Sequence, residues 1–89
     1  MKKHALAKLD QQYLWHPFTQ MRDWLKGDPL VIHRGKGALL WDVQGREYID
    51  ANSSIWTNLH GHNHPKINAA IGKQLTNVAH TSALGLASE

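Results

Sequence analysis

Eighty-nine residues with a formal charge of +3 and no cysteine allow one small domain and exclude disulfides and thiolate metal sites. A domain near this size buries only about 60% of the surface its unfolded chain exposes, so its core is marginal. The ten Lys and Arg are interleaved with Asp10, Asp23, Asp28, Asp42, Glu47 and Asp50, unlike the basic stripe of a nucleic-acid binder.

No apolar run approaches the ~20 residues of a membrane span. Lys2 and Lys3 could open a signal peptide, but His4, Lys8 and Asp10 interrupt any apolar segment behind them. The expectation is a soluble, cytoplasmic chain with neither nucleic acid nor membrane as a partner.

Residues 1 to 15 read as a helix, periodic from residue 3, with Leu6, Leu9 and Tyr13 at helical spacing. Pro17 stops it, because a proline pushes the residue before it out of the helical region. Residues 16 to 29 have no clean period and end in the turn Gly27-Asp28-Pro29. From 30 to 50 the period changes. Leu30–His33, Ala38–Trp41 and Glu47–Ile49 are three short β-type runs, separated by Gly35-Lys36-Gly37 and Asp42-Val43-Gln44-Gly45. Gly35, Gly37 and Gly45 can take the positive φ of tight turns. The pattern predicts a three-stranded antiparallel meander.

Residues 51 to 64 form a long loop holding Ser53-Ser54-Ile55-Trp56 and three alternating histidines, His60, His62 and His64. A connection longer than the usual 4–6 residues, carrying an indole and imidazoles, is a candidate binding loop. Residues 65 to 80 then read as a helix with Pro65 at its first position, Asn63 or His64 as its cap, and an Ile67, Ile71, Leu75, Val78 stripe. Gly72 costs it roughly 1 kcal/mol relative to alanine, which suggests close approach of another backbone. Residues 81 to 89 are small and apolar with no stop signal and read as a truncated tail. The fold class is α+β: a helix, a meander, a long loop and a second helix.

The alternating histidines raise zinc, but Gly61 and Pro65 argue against a regular strand and no acidic residue lies close by in sequence. Orienting a turn and capping a helix is the better reading. Ser53-Ser54 lacks the Gly-x-Ser-x-Gly elbow and has no assignable acid partner, so hydroxyls bonding local backbone account for it. Gly35-x-Gly37 joins strands and lacks a third glycine, so it is no phosphate loop. Trp15-His16-Pro17-Phe18-Thr19-Gln20-Met21 is either an irregular segment packed on the core or an aromatic wall for a planar ligand. Composition does not decide between the two.

Taken together, Trp15–Met21, Ser53-Ser54-Ile55-Trp56 and Gly61-His62-Asn63-His64-Pro65 resemble the opening of class III pyridoxal-phosphate aminotransferases. The resemblance runs from about Leu14 onward. Gly37–Asp50, Gly61-His62 and the helix at Pro65 are common to the class. The two aromatic motifs point to its biotin-pathway branch, which converts 8-amino-7-oxononanoate to 7,8-diaminononanoate.

The resemblance implies that residues 1–89 are the N-terminal segment of such an enzyme, part of the small domain of a fold-type-I architecture. In it, 16–29 is a substrate-contact loop, 51–64 an active-site loop and 65–80 a helix leading into the large domain. It implies a homodimer using pyridoxal 5'-phosphate as electron sink, with S-adenosylmethionine or lysine as amino donor. No lysine here matches the catalytic one of the family, so the chain alone is expected to be inactive and to hold the cofactor mostly through residues outside it. The substrate-binding positions implied are Phe18, Ile55 and Trp56. Phe18 stands where the adenosylmethionine users usually have tyrosine, and Ile55 where tryptophan is frequent. Both departures thin an aromatic wall for a purine. The alternatives are a class III aminotransferase for another amine and a stand-alone histidine-rich binding module.

Overall fold

The computed structural model describes residues 3–89; the first two positions of the expected helix lie outside them. Helix α1 spans Lys3–Tyr13 and α2 is a short helix, Met21–Trp24. Strands β1 (Ile32–Lys36), β2 (Leu39–Asp42) and β3 (Glu47–Ile49) follow. A helical turn α3 (Ser53–Trp56) and the helix α4 (Pro65–Leu75) complete the order.

The sheet is the meander β1-β2-β3, antiparallel throughout. Its first strand sits later in the chain than expected, since Gly35 pairs with Leu40 and Lys36 with Leu39. Gly35 is therefore a strand residue. A Cβ at that position would lie 2.9 Å from the His62 side chain, so its glycine is required by close packing and not by a turn. The reversal falls instead at Gly37, whose φ is +57°. Arg34 pairs with Trp41 across the strands, and its guanidinium carbon lies 3.6 Å from the centroid of the indole.

Asp42 closes the second hairpin. Its Oδ1 accepts the backbone N–H of Gln44 (2.8 Å) and of Arg46 (2.9 Å). Its Oδ2 accepts Arg46 Nε (2.8 Å) and the Tyr48 hydroxyl (2.9 Å). The side chain is 2% exposed. Burial works to raise its pKa, yet these donors outweigh it and hold the carboxyl well below its ordinary value.

Two loops expected to be irregular contain short helical turns. In 16–29, Gln20 caps α2 by accepting the Arg22 N–H through its side chain. In 51–64, α3 has non-helical backbone angles, described below. The last helix ends at Leu75 and not at His80, with Thr76 as its C-cap and the Thr76 hydroxyl donating to the Lys73 carbonyl. His64 occupies its N-cap by backbone conformation alone, with no side-chain cap bond. Gly72 meets no described atom within 4 Å of a Cβ built on it, so none of the described residues makes the expected close approach.

The apolar faces stay uncovered. Ala7 is the one buried hydrophobic residue among those described, while Ile67, Ile71 and Leu75 on α4, and Val78 beyond it, are all exposed. The total surface is 7852 Å², against about 5,300 Å² for a folded monomer of this mass. The radius of gyration is 16.5 Å, against about 12 Å for a compact chain of this length. Such a surface cannot offset the backbone entropy of ordering. The 89 residues in isolation should bind the dye ANS and lose their circular dichroism gradually on heating. A single sharp unfolding step above about 45 °C, typical of small domains, would contradict this.

Candidate functional site

Two carboxylates organise the two aromatic segments. Asp10, on the last turn of α1, receives both the ring of His16 (Nε2 at 2.9 and 2.8 Å from its two oxygens) and Trp24 Nε1 (2.9 Å). The His16 and Trp24 rings lie 4.2 Å apart between centroids. Gln11, the neighbour of Asp10, aims its Nε2 at the carbonyls of Trp24 and Leu25, 3.4 Å from each. Residues 16 to 25 are thus tied back onto α1 across a cleft of about 200 Å³ that Leu6 and Asp10 line. The His16 bond is the main influence lowering the pKa of Asp10; partial burial opposes it and Trp24 adds to the lowering.

Phe18 stands at the tip of that segment with φ +48° and its side chain fully exposed. It borders an open groove of about 490 Å³ with Thr19, Gln20, Asp23 and Trp24. Of the two readings of Trp15–Met21, the core-packed one fails for Trp15 and Phe18, which are exposed by 86% and 111%.

Asp50, just past β3, organises the second segment. Its Oδ1 accepts the Ser54 N–H (2.9 Å), and its Oδ2 accepts the Ser54 hydroxyl (2.8 Å) and His62 Nε2 (2.7 Å). Its own N–H donates to the Ala38 carbonyl at 2.8 Å, fixing it to the sheet. Asn58 Nδ2 lies 2.6 Å from His62 Nδ1. With Asn58 donating there, the imidazole carries its proton on Nε2. The His62 backbone also pairs with Gly37 in both directions, at 3.2 and 2.8 Å. The bonds from Ser54, backbone first and then hydroxyl, lower the Asp50 pKa; burial opposes them and His62 adds to the lowering.

Between Asp50 and His62 the chain makes a left-handed turn. Ser53, Ser54, Ile55 and Trp56 all have positive φ, and Ser54 (52°, 48°) and Ile55 (60°, 60°) lie in the left-handed helical region by both angles. The Trp56 N–H bonds the Asn52 carbonyl and the Thr57 N–H the Ser53 carbonyl, each at 2.9 Å. An L-residue in this conformation costs roughly 1–2 kcal/mol, so Ser54 and Ile55 alone cost about 2–4 kcal/mol. The β-branched Ile55 is the more unusual occupant. Strain of this kind persists where its surroundings over-determine it, and such places cluster at ligand clamps and active sites. Its consequence here is exposure: Ile55 and Trp56 project into solvent, 65% and 87% accessible.

The cluster is not a nucleophile site. Ser54 Oγ donates to Asp50 and not to the His62 ring, and the Asp50 carboxylate, its pKa held below its ordinary value, is a weak base for activating a hydroxyl. Ser54 bonds the Asp50 side chain as well as lying in a backbone turn, which corrects the expectation of local backbone bonding alone. The acid that meets the histidines comes from further along the chain, since Asp50 reaches His62 from twelve residues upstream. The three histidines diverge in role: His62 is bonded within the loop, while His60 and His64 meet edge to face at 6.5 Å. Among the described residues no group of three or more His, Cys, Asp or Glu is placed to hold a metal ion. Phe18 does not share a described cavity with Ile55 or Trp56, and the nearest cavity to the turn, about 190 Å³, is lined by Asp50, Ser53, Asn58 and His62.

Residues 23–89 match the family model Aminotransferase class-III, and the chain belongs to the class-III aminotransferase family. It is 58% identical over 81 residues to the adenosylmethionine-8-amino-7-oxononanoate aminotransferase of Aquifex aeolicus, covering 91% of this chain and 18% of that protein. The protein of the same name from Nitratidesulfovibrio vulgaris is 52% identical over 81 residues, covering 91% of this chain and 15% of its own length. The solved structure of the Methanocaldococcus jannaschii protein of that name superposes with a TM-score of 0.80 at 42% identity, over 99% of this chain and 20% of that one. An (S)-enantioselective omega-transaminase from Thermomicrobium roseum gives 0.83 at 30% identity, again over 99% and 20%. The fold of this segment is thus shared with transaminases of known structure. The chain spans about a fifth of the length of the relatives it matches.

The Asp10 cluster carries a pH test. Because its folded pKa lies below the ordinary carboxylate value of 3.8, its bonds are present above that pH and are lost as pH falls through the lowered pKa. In intact protein labelled with 5-fluorotryptophan, the resonance removed by Trp24→Phe should show a transition below about pH 4, as Asp10 takes up its proton. Asp10→Asn should displace the same resonance at every pH. A resonance with no change below about pH 4, or one that ignores Asp10→Asn, would contradict the cluster.

Proposed function

We propose that these residues are the N-terminal part of a pyridoxal-phosphate transaminase that converts 8-amino-7-oxononanoate to 7,8-diaminononanoate in biotin biosynthesis. The observation that carries this is the likeness, 58% and 52% identical over 81 residues, to two proteins named for that acceptor. The intact protein acts in the cytoplasm as a homodimer. The uncovered stripes on α1 and α4 support a chain that packs against further parts of itself and a second copy.

Class III aminotransferases are pyridoxal-phosphate dependent, and the cofactor supplies the electron sink when bound. The amine that the cofactor's aldehyde needs comes, on this reading, from a lysine outside this segment. Its contribution is recognition. Phe18, Ile55 and Trp56 present flat or apolar faces that take an apolar carbon chain or a purine and exclude water from it. S-adenosylmethionine is the donor that the relatives' name supports. Lysine is the second reading, favoured by Phe18 and Ile55, which leave a thinner aromatic wall for a purine.

The test is the intact protein loaded with pyridoxal phosphate, given 8-amino-7-oxononanoate and either donor, with diaminononanoate measured. Product with either donor supports the assignment, and Phe18→Tyr with Ile55→Trp should shift the preference toward S-adenosylmethionine about tenfold, the scale of one good contact. No product with either donor, alongside turnover of other amines, would move the protein to a different class III substrate.

A further inference from the structure

We infer that Asp50 and His62 are positioning residues that set the substrate affinity of the protein by holding the left-handed turn Ser53–Trp56. The inference rests on the reading of Trp56 as a substrate contact. Neither Asp50 nor His62 faces the exposed side of the turn. Their side chains are 7% and 17% accessible, while Trp56 is 87% accessible.

The connection is a closed ring of bonds. Asp50 is fixed to the sheet through its N–H to Ala38 and grips the turn at Ser54 through both the backbone N–H and the hydroxyl. His62 is fixed to the sheet through Gly37, reaches Asp50 with one ring nitrogen and Asn58 with the other. The turn is therefore held at Ser54 and behind its exit at Asn58, with Ile55 and Trp56 between the two anchors. Four consecutive residues with positive φ do not hold themselves. Releasing Ser54 lets the segment return to right-handed or extended backbone, which turns the Ile55 and Trp56 side chains away from their present direction. Gly35 fits the same device, since any larger residue there would collide with the His62 ring that completes it.

A double-mutant cycle separates positioning from general destabilisation. In intact, cofactor-loaded protein with 8-amino-7-oxononanoate varied, Trp56→Ala should raise KM. Asp50→Asn and His62→Ala should each raise KM about tenfold or more, with a smaller change in kcat. In the Trp56→Ala background, Asp50→Asn should add little, because the contact it positions is already gone. Additive effects, or an unchanged KM in Asp50→Asn, would overturn the inference while leaving Trp56 as a contact. If Trp56→Ala leaves KM unchanged, the substrate-contact reading fails first and the positioning role falls with it. Should Asp50→Asn not fold, Ser54→Ala and Asn58→Ala each remove one bond of the ring and take its place in the cycle. They should show the same non-additivity at smaller size, and additivity from both would overturn the proposal.

Discussion

The Asp50 carboxylate is the constraint on which the second half of this structure depends. It sits where the sheet ends and accepts three donors, two from Ser54 and one from His62. Without it, the left-handed turn has a conformational cost and only its own internal bonds to meet that cost. With it, the sheet, the turn and the loop returning to Gly37 form one connected unit. Asp10 plays a parallel part for the first half, joining α1 to His16 and Trp24. In each half an acid bound by several donors stands behind an exposed aromatic tip.

That arrangement fits a segment whose own core is slight. Its rigidity comes from polar hubs, because carboxylates bound by several donors are local and do not need a large apolar interior. Asp42 does the same for the hairpin between β2 and β3. Many apolar residues lie on faces that the described residues leave uncovered, above all the α4 stripe. In the class-III aminotransferase family such faces belong to a protein about five times longer, as the extent of the relatives indicates.

Local rules made part of this legible in the sequence. The meander followed from three β-type runs and turn glycines, and α4 from Pro65 and its stripe. The start of β1 was misplaced because Gly35 looks like a turn residue, whereas its glycine answers to His62, 27 positions away. The end of α4 was overrun because Val78 keeps the helical spacing after the backbone has already left the helix at Thr76. Phe18, Ile55 and Trp56 could be singled out by family resemblance, and the structure finds all three exposed. The hubs behind them were missed. Asp50 and Ser54 stand four apart, a spacing that suggested nothing without the left-handed turn, and no propensity scale places Ile55 at positive φ.

The most direct measurement is a high-resolution crystal structure of the intact protein, read at residues 50 to 62. Positive φ at all four of Ser53, Ser54, Ile55 and Trp56, with the Asp50 oxygens on Ser54 and His62, is the result this account predicts. A right-handed or extended segment there, with Asp50 turned to solvent, would contradict it.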